Sequence, residues 1–145
     1  MREPQIDYRA VFQNIPVPAL LLTTEFVIAD VNLNYLQVAG RTREELLGRN
    51  LFDAFPDNPS DPDASGVRNL TASLRRVLAT GQPDVMHPQK YDVEVGDSGV
   101  FERRYWSQVN APILGSAGRV ELIIHTAEDV TDRVRKFVAA QTRDA

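Results

Sequence analysis

Trp106, Gln108 and Asn110 alternate along one β-branched and aromatic run, and His125 lies in the next. Counting back in twos from Pro112 puts the first three on a single face of their strand, and Ile123, His125 and Ala127 share a face of the following one. An indole N–H, two amides and an imidazole suit hydrogen-bonding recognition better than bond breaking. No nucleophile, base and orienting group can be assembled, because Ser107 and the other serines have no histidine at a motif spacing. Asp57, Asp61 and Asp63 raise the idea of a calcium loop. The intervening prolines and the missing downstream glutamate depart from that pattern, so a solvated turn is expected and no metal site. Arg68, Arg75 and Arg76 read as a solvated helix face.

These residues need a frame of strands and helices. Tyr8, Val11, Phe12 and Ile15 recur at helical spacing until Pro16 and Pro18, predicting a short amphipathic helix. Ala19 to Thr23 and Phe26 to Val31 suit a hairpin. Asn32 and the capping box Thr42 with Glu45 introduce two short helices, which Gly40 and Gly48 end. Asn50 to Phe55 predicts a further turn, and the segment to Asp63 a loop. Val67, Leu70, Leu74, Val77 and Leu78 then mark one face of a helix of about four turns, with Gly81 beyond its end. Val85 to Val95, Phe101 to Ile113 and Arg119 to Ala127 predict three long strands joined by glycine-containing turns.

The chain of 145 residues, 43% hydrophobic and 25% charged, is enough for one core and one domain. A net charge of −4 with no basic stripe gives no electrostatic reason for nucleic-acid or anionic-lipid binding. No apolar run approaches the roughly 20 residues of a membrane span, and no signal-peptide pattern opens the chain. A cytoplasmic protein without membrane contact is expected. The absence of cysteine removes disulfides, thiolate chemistry and zinc ribbons.

The order of two strands, four helical pieces and three strands resembles the PAS family. Asn32 matches the asparagine opening its first internal helix, and Thr42-Arg-Glu-Glu-Leu-Leu-Gly48 its S/T-x-E-E-L-x-G segment. Ala111-Pro112, with Gly118 beyond the turn, matches the end of the penultimate strand, and Asp129-Val130-Thr131 the D-x-T that opens an output helix. Phe55-Pro-Asp-Asn-Pro59 and Tyr105-Trp-Ser107 are similar to segments of N-terminal sensory PAS domains of bacterial histidine kinases and related multidomain regulators. The likeness spans roughly Asp7 to Asp132.

The resemblance implies an α+β fold: a five-stranded antiparallel sheet with short helices and one longer helix on one face, plus flanking helices. It divides the chain into an N-terminal helix (1–16), a core (17–130) and an output helix (131–145). It implies a sensory module of a signal-transduction protein, not itself an enzyme, that senses a small molecule or partner and relays through its C-terminal helix to a downstream effector domain. The alternative is a ligand-free dimerisation domain. Flavin-binding relatives place the face of Trp106, Gln108, Asn110 and His125 inward, with Tyr35 and Tyr91 as further pocket candidates. Buried polar groups cost about 1–3 kcal/mol each when unpaired, so this set either satisfies itself or meets a ligand. A cavity above about 100 Å³ lined by Trp106, Gln108, Asn110 or His125 would favour the ligand. Haem is not expected, since haem-binding relatives usually draw their histidine from the long internal helix, which here has none; covalent flavin and thioester chromophores need a cysteine. The cofactor is otherwise unknown. Asp129 and Thr131 are expected to hold the signal-relay junction. Val130, Val134, Phe137 and Gln141 fall at coiled-coil spacing, implying a homodimer, although the helix could instead pack back on its own domain.

Overall fold

A computed structural model describes residues 2–143, without the Arg143 side chain; Met1, Asp144 and Ala145, the ends of the expected flanking segments, lie outside the described residues. Helix α1 (Tyr8–Asn14) starts where Asp7 accepts a hydrogen bond from Ala10 N at 3.2 Å. Its apolar face is largely open: Tyr8 is 74% and Val11 48% exposed. Gln13 ties it to the sheet by donating to the Val31 carbonyl at 3.1 Å.

Strands β1 (Ala19–Thr23) and β2 (Ile28–Val31) form the expected hairpin, though β2 begins two residues later than Phe26. Phe26 occupies the turn with φ +68°, a conformation a side chain tolerates poorly. Hydrogen bonds from Phe26 N to Thr23 O and from Leu51 N to Phe26 O hold it there. Helices α2 (Leu33–Ala39), α3 (Arg43–Leu46) and α4 (Leu51–Ala54) are capped by Asn32, Thr42 and Asn50, as the polar residue before each apolar group predicts. Asn32 does more than cap. It is fully buried, accepts from Tyr35 N at 2.9 Å and Ala19 N at 3.0 Å, and donates to Val17 O at 2.8 Å, joining three segments through one amide.

The long helix α5 (Gly66–Thr80) buries Leu70, Ser73, Leu74 and Val77 and ends at Gly81 in the left-handed conformation. Its N-terminal cap comes from outside the helix: Asp57 accepts from Val67 N at 3.1 Å, whereas Ser65 makes no side-chain cap.

The antiparallel sheet has the order β2-β1-β8-β7-β3, with β7 (Tyr105–Leu114) and β8 (Val120–Asp129) as its long central members. Here the expectation of three long strands is corrected. The segment from Val85 to Val95 is broken into β3 (Asp84–Val85), β4 (Gln89–Lys90) and β5 (Val93–Glu94), and Phe101–Glu102 separates from β7 as β6. β3 and β4 both pair with β7, forming a split fifth column, while β5 and β6 make a separate hairpin. Pro88 explains the interruption, since it has no N–H to give the ladder. Leu20, Leu22, Ile123, Leu70, Leu74 and Val77 form the centre of the core between sheet and helices.

Helix α6 (Thr131–Arg143) leaves the end of β8. Val130 is buried at its root and Val134 half-buried, but Phe137 is 63% exposed and Gln141 is exposed. Beyond its first turn the helix therefore does not pack back on its own domain. No helix among the described residues is long and apolar enough to cross a membrane.

Candidate functional site

The inner sheet face carries the residues the alternation predicts. Trp106, Gln108, Asn110 and His125 are all buried, and Asn110 and His125 stand opposite each other in register on β7 and β8. These four find partners within the protein. Trp106 Nε1 donates to Tyr91 O at 2.9 Å, and Gln108 Oε1 accepts from Gln89 Nε2 at 2.7 Å. His125 Nδ1 lies 2.7 Å from Asn110 Oδ1; Asn110 Nδ2 donates to Ser73 Oγ at 2.8 Å; and Ser73 Oγ donates to Asp84 Oδ2 at 2.6 Å. Asp84 is closed from outside by a two-point contact with Arg76, at 3.2 and 3.0 Å.

The donors in this chain have one consistent direction. An amide that gives its N–H to Ser73 presents its oxygen to the ring, so His125 carries its proton on Nδ1 and leaves Nε2 as an acceptor. Burial lowers the His125 pKa from 6.5 to about 4, keeping the imidazole neutral. Arg76 and then Ser73 hold the Asp84 carboxyl below its ordinary range.

In front of this face lies a cavity of about 40 Å³, lined by Tyr35, Tyr91, Trp106, Gln108 and His125 together with Leu51, Phe55, Leu70, Arg41 and Asp92. Five of the six expected pocket residues therefore converge on it. Asn110 does not, being withdrawn behind His125 into the Ser73 chain. Burial raises the phenol pKa values of both Tyr35 and Tyr91. Tyr91 Oη donates to the Phe55 carbonyl, and its ring lies so close to Gly66 that a Cβ there would meet Tyr91 Cδ2 at 2.5 Å. A more open cleft of about 210 Å³ adjoins the cavity between the end of α2 and the β5–β6 hairpin, sharing Val38, Val93, Glu94 and Trp106 with it.

Sequence reasoning missed three charged residues on this cavity, Arg41, Asp92 and Glu94. The Arg41 side chain is 5% exposed, 3.5 Å from Glu94 and 3.7 Å from Glu45, with its guanidinium 6.0 Å from the Phe55 ring centroid. The Asp92 side chain is 6% exposed and accepts from Asn58 Nδ2 at 3.0 Å, with Lys90 Nζ at 3.3 Å. Arg41 Nε and Asp92 Oδ1 nonetheless stay buried without a hydrogen-bond partner. Nothing in the sequence flagged them, since Arg and Asp are ordinarily exposed. Ser73 was missed as well, although its place between Leu70, Leu74 and Val77 on the apolar face of α5 could have marked it. The aspartates of the supposed calcium loop have other partners: Asp57 caps α5, and Asp61 pairs with Lys90 at 2.6 Å.

The junction with α6 is built from Asp129, Thr131 and Arg104. Asp129 Oδ1 accepts from Thr131 N at 2.9 Å and from Thr131 Oγ1 at 2.5 Å, while Arg104 Nη1 donates to Oδ2 at 3.0 Å. Thr131 Oγ1 in turn accepts from Tyr105 N at 3.0 Å, and Val130 N donates to Tyr105 O at 2.9 Å. Burial works to raise the Asp129 carboxyl, but the Thr131 hydrogen bonds and Arg104 outweigh it and hold the pKa below its ordinary value. The root of α6 is thus fastened to the residue next to Trp106.

A family model for the PAS fold matches residues 12–135. Among solved structures, the PAS domain of a Colwellia psychrerythraea protein superposes with a TM-score of 0.65 at 13% identity, over 86% of this chain and 95% of that one. A sensory box sensor histidine kinase structure from Vibrio cholerae gives 0.57 at 18% identity, over 86% and 89%. An RNA-binding Light-Oxygen-Voltage receptor gives 0.67 at 19% identity over 94% of this chain, which spans only 37% of that one. No curated protein matches the sequence. The family match covers most of the chain, and the split sheet, the capped short helices and the Asp129–Thr131 junction lie within it: the chain belongs to the PAS family.

Proposed function

We propose that this domain is the sensory module of a bacterial signal-transduction protein of the histidine kinase type, receiving a small molecule or partner at the cavity side and relaying it through α6 to an effector domain. One observation carries the reading. Thr131 joins the first turn of α6 to Tyr105 N and to Asp129, the ends of the strands that hold Trp106, Gln108 and His125. A displacement at the cavity wall is therefore passed to the helix root through short, directional bonds. The sensor histidine kinase named for the Vibrio cholerae structure supports the output class. The module acts in the cytoplasm as a homodimer, with Val134 and Phe137 of α6 meeting their copies, and has no catalysis, nucleic-acid contact or membrane contact of its own.

A second reading, a ligand-free dimerisation domain, is favoured by the internal partners of the inner polar face. The four expected polar residues satisfy one another or nearby groups and the cavity before them holds only about 40 Å³, whereas the adjoining cleft of about 210 Å³, which Trp106 also lines, exceeds the roughly 100 Å³ that favours a ligand. Native mass spectrometry of freshly purified protein beside a denatured sample, with an absorption spectrum, separates the two. Added mass lost on denaturation is expected for the sensor, whereas bare protein at twice the chain mass supports the dimerisation domain. A bare monomer at tens of micromolar would count against the homodimer in both.

A further inference from the structure

We propose that the cavity takes a small neutral molecule carrying both a hydrogen-bond acceptor, for Arg41 Nε, and a hydrogen-bond donor, for Asp92 Oδ1: an amide-type ligand. The proposal rests on the sensory reading and names the ligand class of that site.

Both side chains are more than nine-tenths buried, both line the cavity, and each leaves one polar atom unpaired. Buried donors and acceptors are seldom left so. The two orphans are complementary to each other in type, so a ligand that satisfies both must give a hydrogen bond and receive one. Charge narrows the class further. Arg41 already faces Glu45 and Glu94, and Asp92 already faces Lys90, so an anion entering near the guanidinium meets two carboxylates and a cation near Asp92 meets an ammonium. A neutral ligand meets neither penalty.

Size sets the scale. About 40 Å³ accepts a group of roughly three or four heavy atoms, the size of acetamide or of a few waters. A substituent would extend past Val38 and Val93 into the adjoining cleft, under the β5–β6 hairpin that Arg41 holds through Glu94. Phe55 and Leu51 offer its apolar part a wall.

Acetamide, acetate and ethylammonium are similar in size and differ in charge and in hydrogen-bonding groups, so they test the class directly. Each is titrated into the protein while following the Arg41 Nε–H resonance by NMR and the emission of Trp106, the chain's one tryptophan. Acetamide is expected to give saturable changes at about 10 mM or below, with acetate and ethylammonium at least about tenfold weaker. Asp92→Asn, with its fold checked by circular dichroism, should weaken acetamide about tenfold. Acetate binding as well as acetamide would overturn the proposal, as would no saturable change with any probe, which would assign the space to water alone. The relay reading fails separately: acetamide binding that leaves amide exchange in α6 unchanged overturns the relay and keeps the ligand class, whereas absent binding leaves the relay to the Asp129 variant described below.

Discussion

His125 and Asn110 stand opposite each other in the centre of the sheet, ring nitrogen to amide oxygen at 2.7 Å, with the histidine held neutral by burial. Above pH 6.5 the imidazole is neutral in both folded and unfolded chains and has no effect on their balance. As the pH falls through 6.5 toward about 4, the unfolded chain takes up the proton first and stability is lost; below that window the loss levels off. The full loss is about 3 kcal/mol. Urea unfolding between pH 7.5 and 4.5 should show it, and His125→Gln should flatten the profile while the exposed His87 remains in both proteins. An unchanged profile in that variant would place the titrating group elsewhere.

Asn32→Ala should cost about 2–4 kcal/mol. The substitution removes a helix cap and also strands Ala19 N and Val17 O, two backbone groups that the amide alone ties together. Chemical denaturation measures the change, and a loss below about 1 kcal/mol would mean that water replaces the amide.

Gly66 and Tyr91 should be coupled. Gly66→Ala drives a methyl group into the Tyr91 ring and should destabilise by about 1–3 kcal/mol, taking the hydrogen bond to Phe55 with it. In the background of Tyr91→Leu the same glycine substitution should cost markedly less. Equal costs in the two backgrounds would show that the ring is not what excludes the side chain.

Asp129→Ala removes the acceptor of both Thr131 bonds and the partner of Arg104, so the first turn of α6 should loosen by about 1 kcal/mol while the core keeps its melting behaviour. Faster amide exchange confined to the start of α6 is the expected result. Under the proposed relay, the variant should uncouple signal from output when the domain is joined to an effector; wild-type signalling there would sink the relay.

Much of this was legible in the chain. The caps at Asn32 and Thr42 and the stop at Gly81 could be read because local backbone groups enforce them. The grouping of Trp106, Gln108 and Asn110 on one face of β7 followed from its period of two, and the family resemblance indicated that this face is inward. The split of the fifth column was legible only in Pro88, whose effect depends on which strand lies beside it. Arg41 and Asp92 were invisible for a related reason: Arg41 is enclosed by Phe55 and Glu94 and Asp92 is met by Asn58, all distant in sequence, and no local pattern encodes that. Ser73 was overlooked, although its position within the apolar stripe of α5 announced it.

The interrupted strand beside β7 also governs what the sheet cannot do. One margin of the sheet, β2, is covered by the 48–51 segment, through bonds such as Ile28 N to Arg49 O and Gly48 N to Ile28 O. The opposite margin offers two-residue pieces, β3 and β4, parted by Pro88 and carrying Asp84 and Lys90. Neither presents the long, flat, unpaired backbone that templates runaway strand addition between molecules. A second copy of this domain therefore finds no long free strand at either margin on which to extend the sheet.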